Sequence, residues 1–303
     1  ITTIITTIIT TTMEKTFPRS IKKAQHASYA KINLFLEVLG KLPENYHEIE
    51  TLLCSVSLCD TLKYVLTKRP GIEIWSNLLG MAAKSNLVFK VAQYLLDKFQ
   101  PNSGVDIHLE KRIPIAAGLG GGSSNAAVTL RTLNILWDLK LSLDDLKHIA
   151  ARFGSDIPYF LHGGTAWGTH RGEVIEQRPD IQLQLLLVNP GIGISSAEAY
   201  ALLPANTNRD GKRLDRTDGY DWLFNRLEPG IRQAYPVVDR LLNDLSNAGA
   251  NAAIMSGSGS TCFGVFEDAA KMAACQRNFN RIGYWTQIVR TISRKEYESE
   301  FKA

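Results

Sequence analysis

Long apolar runs are missing from this 303-residue chain. The longest, such as residues 183–188 with a glutamine inside it, falls far short of the ~20 residues that a membrane-spanning helix needs, so no part of the chain is expected to cross a bilayer. Cysteine is scarce too. Cys54, Cys59, Cys262 and Cys275 show no C-x-x-C spacing and no histidine at zinc distance, which excludes a disulfide scaffold and a structural metal site and leaves reduced core thiols. An excess of one charge is also lacking: 34 Lys and Arg stand against 30 Asp and Glu, a net +4 without a basic run. That balance argues against nucleic acid as a partner and suits a small anionic ligand. What is present is an ordinary globular mix, 45% hydrophobic and 21% charged, long enough for two domains.

The first twelve residues, an uncharged Ile/Thr run, lack the basic start and small-residue cleavage site of a secretory signal. We expect residues 1–25 to be a leader outside the fold with Met13 as the true start. A cytoplasmic rather than plastid location is expected.

Residues 28–40 begin with alternation and read as a strand; 51–57, 61–67 and 71–75 read as further short strands, with a turn at Cys59-Asp60. Residues 86–99 carry apolar side chains at three- and four-residue spacing behind Ser85 as N-cap, a helix signature. Another helix is expected over 123–137, and a third from Ser142, with Asp145 completing a capping-box-like start. Farther on, 183–189 reads as a buried strand, 196–203 and 235–247 as helices, and 252–289 as strand, loop, strand, helix, strand. The pattern is α+β with a second domain beginning near 178.

The densest chemistry lies between the strand over 104–111 and the helix over 123–137. There Pro114, Ala116, Ala117, Gly118, Leu119, Gly120, Gly121, Gly122, Ser123 and Ser124 form a glycine loop running into a helix. Glycines let backbone N–H groups converge on an anion, and the helix start adds unpaired donors and a positive dipole end. A tight turn would need fewer glycines. The loop is not a Walker A motif, since no Gly-Lys-Ser/Thr follows, and it does not complete G-x-G-x-x-G.

This run resembles the second motif of the GHMP family of small-molecule kinases. Ala30-Lys31-Ile32-Asn33-Leu34 is similar to the family's first motif, and Ser256-Gly257-Ser258-Gly259-Ser260-Thr261 to its third. The resemblance spans almost the whole chain after the leader. It implies a two-domain GHMP-kinase-like fold, with a ribosomal-protein-S5-domain-2-like N-terminal domain over 26–178 and a ferredoxin-like α+β domain over 179–303. It implies ATP with Mg2+ as phosphoryl donor, and no residue is assigned as a metal ligand. Tyr46-His47, the triple glycine with Asn125 and the 154–160 segment select, within the family, an acceptor alcohol that carries a cytidine diphosphate group. A homoserine- or mevalonate-type acceptor, or a non-catalytic nucleotide-binding relative, is the alternative; a monomer or weak homodimer is expected.

Residue roles follow from that resemblance. Asp156 is the expected base for the attacking hydroxyl, a task typically worth ~100- to 10,000-fold; its rival role is a helix cap. Lys31, in an otherwise apolar strand, is expected to face a carboxylate and the transferring phosphoryl group rather than solvent. Tyr46 and Tyr200 would stack on the two faces of the cytosine, His47 would meet the base edge through its backbone, and Ser196 and Asn33 would bind diphosphate or hydroxyl groups. Gly257, Ser258 and Gly259 would line the substrate from the third motif. One departure stands out: Glu44-Asn45 replaces the family's usual Asp-Gly before Tyr-His.

Overall fold

The computed structural model describes residues 22–43, 46–78, 85–203 and 219–301. The Ile/Thr run, Met13 and the Glu44-Asn45 pair lie outside them. Two long strands dominate: β1 (Lys23–Lys41) and β2 (His47–Thr67) pair antiparallel along nearly their whole length. β2 is one strand rather than the expected two. Asp60 makes no turn; it is buried and accepts hydrogen bonds from Arg112 N at 2.7 Å and Ile113 N at 2.8 Å, with Lys111 Nζ 2.9 Å away. A register shift between Tyr29 and Ala30 absorbs the irregularity opposite it.

β3 (Ile72–Ser76) and β4 (Gly104–Glu110) extend the sheet on one side, while β5 (Thr165–Thr169) and β6 (Val174–Gln177) join the other end of β2. Helices α1 (Leu87–Phe99), α2 (Gly121–Leu136), α3 (Leu143–Ala151) and α4 (Ile157–Phe160) pack against this sheet. Asn86, not Ser85, caps α1, because its side chain accepts from Val88 N. The Ser142/Asp145 capping box of α3 forms as expected. Fully buried Leu130 and Leu133 on α2, each contributing about 1.5–3 kcal/mol by burial, fix that helix beneath β1.

A second sheet has the order β11-β7-β10-β9, from β7 (Gln184–Asn189), β9 (Ala252–Met255), β10 (Cys262–Val265) and β11 (Trp285–Arg290). Every neighbour in it is antiparallel, and α7 (Pro236–Asn247) and α8 (Ala269–Arg281) pack on it. This is the ferredoxin-like arrangement. α5 (Ser196–Ala201) and α6 (Glu228–Ala234) complete this half. Two pieces from late in the chain return to the first sheet: β8 (Phe224–Asn225) pairs parallel with β1, and α9 (Arg294–Ser299), unforeseen in the sequence, caps itself with Ser293 beyond β11.

Candidate active site

Three sequence motifs, each remote from the others along the chain, meet at one place. Lys31 N donates to Leu119 O at 3.0 Å, Ser256 Oγ donates to Gly118 O at 3.0 Å, and Asn33 N donates to Ser256 Oγ at 3.3 Å. Gly118 is required here for two reasons. Its φ is +74°, and a Cβ on it would lie 2.1 Å from Ser256 O. At Gly257, also in the left-handed region, a Cβ would come within 3.1 Å of Asn33 Oδ1 and Lys31 Nζ. Asn225, which the sequence reading did not single out, holds this third loop by donating to Met255 O and Gly257 O at 2.8 Å each.

α2 begins inside the glycine run, two residues before Ser123. Gly120, with φ +66°, is its N-cap, and no side chain caps the first turn. The first-turn N–H groups of Gly121, Gly122 and Ser123 therefore have no helical partner, which suits an anion. Ser124 differs from expectation: its N–H bonds Gly120 O, and its buried hydroxyl accepts from Ser28 Oγ at 2.7 Å, so it is turned into the core. Pro114, Ala116 and Ala117 form the turn before the glycines, with Ala116 at φ +51°.

Lys31 is buried, and its Nζ donates to Asn33 Oδ1 and lies 3.9 Å from Asp156 Oδ2. Burial pushes the ammonium pKa down, and the Asp156 carboxylate opposes that shift. Asn33 is fixed in turn by donating to Thr51 Oγ1 at 2.8 Å. Asp156 sits at the N-terminus of α4, yet its side chain makes no capping bond and remains 44% exposed. The capping role that rivalled its reading as base is absent from this geometry. Tyr200, from α5 in the other half of the chain, reaches the same region: burial, then the Asp156 charge, raise the pKa of its phenol.

The aromatic residues expected at the base have ring contacts within the chain. The His47 ring stacks on Tyr200, with centroids 4.6 Å apart and planes 13° from parallel, while Arg171 lies over the Tyr46 ring at 4.7 Å from its centroid. Burial and the nearby Lys41 lower the His47 pKa. Arg171 lies in the β5–β6 turn and bonds Glu173; nothing in its spacing from Tyr46 along the sequence signals the contact. Ser196 is exposed at the start of α5, where Ser195 is the cap; Ser258 and Gly259 lie in the loop joining β9 to β10.

Residues 86–164 match the GHMP kinases N terminal domain and residues 202–284 the GHMP kinases C terminal. The chain is 38% identical over 282 residues to a 4-diphosphocytidyl-2-C-methyl-D-erythritol kinase of Bacillus cereus (strain B4264), covering 88% of this chain and 96% of the relative. The chain belongs to the GHMP kinases. A relative of the same name from Thermoanaerobacter pseudethanolicus is 34% identical over 288 residues, covering 90% and 98% of the two chains. The crystal structure of a 4-(cytidine 5'-diphospho)-2C-methyl-D-erythritol kinase superposes with a TM-score of 0.78 at 27% identity, over 89% of this chain and all of the other. As a GHMP kinase the chain is a small-molecule kinase using ATP, and the expected two-part α+β architecture stands. Among the described residues no helix is long and apolar enough to cross a membrane.

Proposed function

We propose that this chain transfers the γ-phosphoryl group of ATP to the 2-hydroxyl of 4-diphosphocytidyl-2-C-methyl-D-erythritol, a step of the non-mevalonate route to isoprenoid precursors. The observation that carries the mechanism is the approach of buried Lys31 to half-exposed Asp156, 3.9 Å apart beside the glycine loop. In that position Asp156 Oδ2 takes the proton of the attacking hydroxyl as its oxygen bonds to phosphorus. Lys31 Nζ, already desolvated, places positive charge where the transferring phosphoryl group gathers negative charge. The N–H groups of Gly121, Gly122 and Ser123 hold the ATP phosphates. Transfer is direct and in line, with no phosphoenzyme.

Mg2+ accompanying ATP would supply neutralisation of phosphate charge. Phosphate oxygens and water would be its main ligands. Ser123, at the first turn of α2, offers a hydroxyl beside those phosphates. Tyr46, His47 and Tyr200, with Arg171 behind Tyr46, form the base-recognition side. The chain acts as a monomer or weak homodimer in the cytoplasm, and residues 26–178 and 179–303 form its two domains, with Lys23–Gln25 of the expected leader joining the first through their pairing with β2.

The test is ATP consumption with the cytidine-bearing alcohol, homoserine and mevalonate in parallel, for the parent and Asp156→Asn. Turnover with the cytidine substrate alone, falling about 100- to 10,000-fold in the variant with ATP binding retained, is expected. Preference for another alcohol, or near-parental turnover in the variant, overturns the reading.

A further inference from the structure

A four-residue helix is far too short to hold itself, so the place of Asp156 at the head of α4 is set by what grips that helix elsewhere. Its last carbonyls are both held. Phe160 O accepts from the Tyr297 hydroxyl at 2.6 Å, and Leu161 O from Arg131 of α2 at 3.2 Å. Tyr297 is a buried residue of α9, and the chain after α4 is shaped around it. Gly163 has φ +63°, and a Cβ there would lie 2.2 Å from the Tyr297 ring. The carbonyl end of the Asp156 helix is therefore tied to α2 through Arg131 and, through the Tyr297 hydroxyl, to a residue from the far end of the sequence. α9 is itself anchored: Glu300 accepts from Ala27 N and Tyr29 Oη at 3.1 Å each, and Phe301 stacks on His26 and under Arg131.

We propose that Tyr297 is a positioning residue for phosphoryl transfer: its hydroxyl fixes the end of α4 and thereby the place of Asp156 relative to the phosphate helix. The proposal rests on the reading of Asp156 as the base. Displacement of a reacting group by about 1 Å can cost about 100-fold in rate, so a tie that limits smaller displacements acts on turnover and not on binding.

The test compares Tyr297→Phe, Phe301→Leu and Asp156→Asn in the full chain by steady-state kinetics and thermal melting. Tyr297→Phe is expected to lower kcat about tenfold with both KM values within about twofold. Phe301→Leu loosens the same helix without touching the hydroxyl; it is expected to lower Tm at least as much, with kcat within about twofold of the parent. A parental kcat in Tyr297→Phe, or a kcat that follows Tm equally in both variants, overturns the proposal. Should Tyr297→Phe fail to fold, Arg131→Gln, which frees Leu161 O at the same end of α4, carries the test: a kcat loss of about threefold at unchanged KM supports the tie, and no loss overturns it. An active Asp156→Asn would instead remove the base reading itself, whereas an inactive one beside a normal Tyr297→Phe removes only the positioning role.

Discussion

The two sides of the site are built in opposite ways. On the phosphate side, backbone meets backbone: Lys31 N on Leu119 O, Ser256 Oγ on Gly118 O, and glycines where a Cβ would collide. On the base side, rings meet rings and a guanidinium, with Tyr46 43% exposed and held chiefly by Arg171. Buried main-chain contacts tolerate almost no displacement, because each interior polar group must keep its partner. Exposed stacks shift at little cost. Changes that disturb these main-chain contacts should therefore damage turnover and folding together, the Lys31 side-chain charge being the exception, and changes on the base side should alter only KM for the acceptor.

Lys31→Met gives the sharpest division between chemistry and stability. We expect turnover to fall at least about 100-fold, through loss of the charge facing the phosphoryl group. Stability should hold or rise. Burial lowers the ammonium pKa below its ordinary 10.5, so between the lowered value and 10.5 the folded chain binds fewer protons than the unfolded one. This group's stabilising contribution is present above 10.5 and lost as pH falls through the folded value; at neutral pH the buried ammonium is a cost, which methionine removes. Urea unfolding at neutral pH and near pH 10 checks the sign, and a marked loss of stability at neutral pH would contradict it.

Gly118→Ala adds a side chain where φ is +74° and Ser256 O is 2.1 Å away. Strain alone is worth about 1–3 kcal/mol, and the collision adds to it, so unfolding should shift clearly and kcat should fall with it. Gly191→Ala, at φ +81° but with nothing within 4 Å, isolates the strain share and should leave turnover intact.

On the base side, Tyr46→Ala should raise KM for the cytidine-bearing acceptor about 5- to 150-fold, the equivalent of ~1–3 kcal/mol of base stacking, with KM for ATP unchanged. Arg171→Ala should raise the same KM only about two- to fivefold, as expected for a cation over an exposed ring, and Arg171→Lys should restore most of it. A loss of kcat in either variant would erase the proposed difference between the two sides.

Much of this was legible in the sequence because the signals are local. Alternation over 28–40, the capping box at Ser142 and the glycine loop before a helix are written within a few residues of where they act. Contacts between distant segments were not legible. Asp60 reads as a turn residue beside Cys59, and only its approach to Lys111, Arg112 and Ile113 keeps β2 unbroken. Ser124 reads as part of the phosphate cradle until Ser28 is found against it. Arg171 and Tyr297 carry no motif, since a cation over a ring or a phenol on a carbonyl needs no sequence spacing at all.

The sequence by itself determined most of the element types and pointed to the glycine loop before a helix and to Lys31 and Asp156 as candidates, because propensity, glycine freedom and side-chain chemistry belong to each residue wherever it lies. Only the tertiary structure decided that Lys31 and Asp156, 125 positions apart by their numbers, stand side by side. The same holds for the ring that covers Tyr200 and for the return of the last helix to brace the first half. Those outcomes depend on which buried surfaces close over one another, and no single segment carries that information.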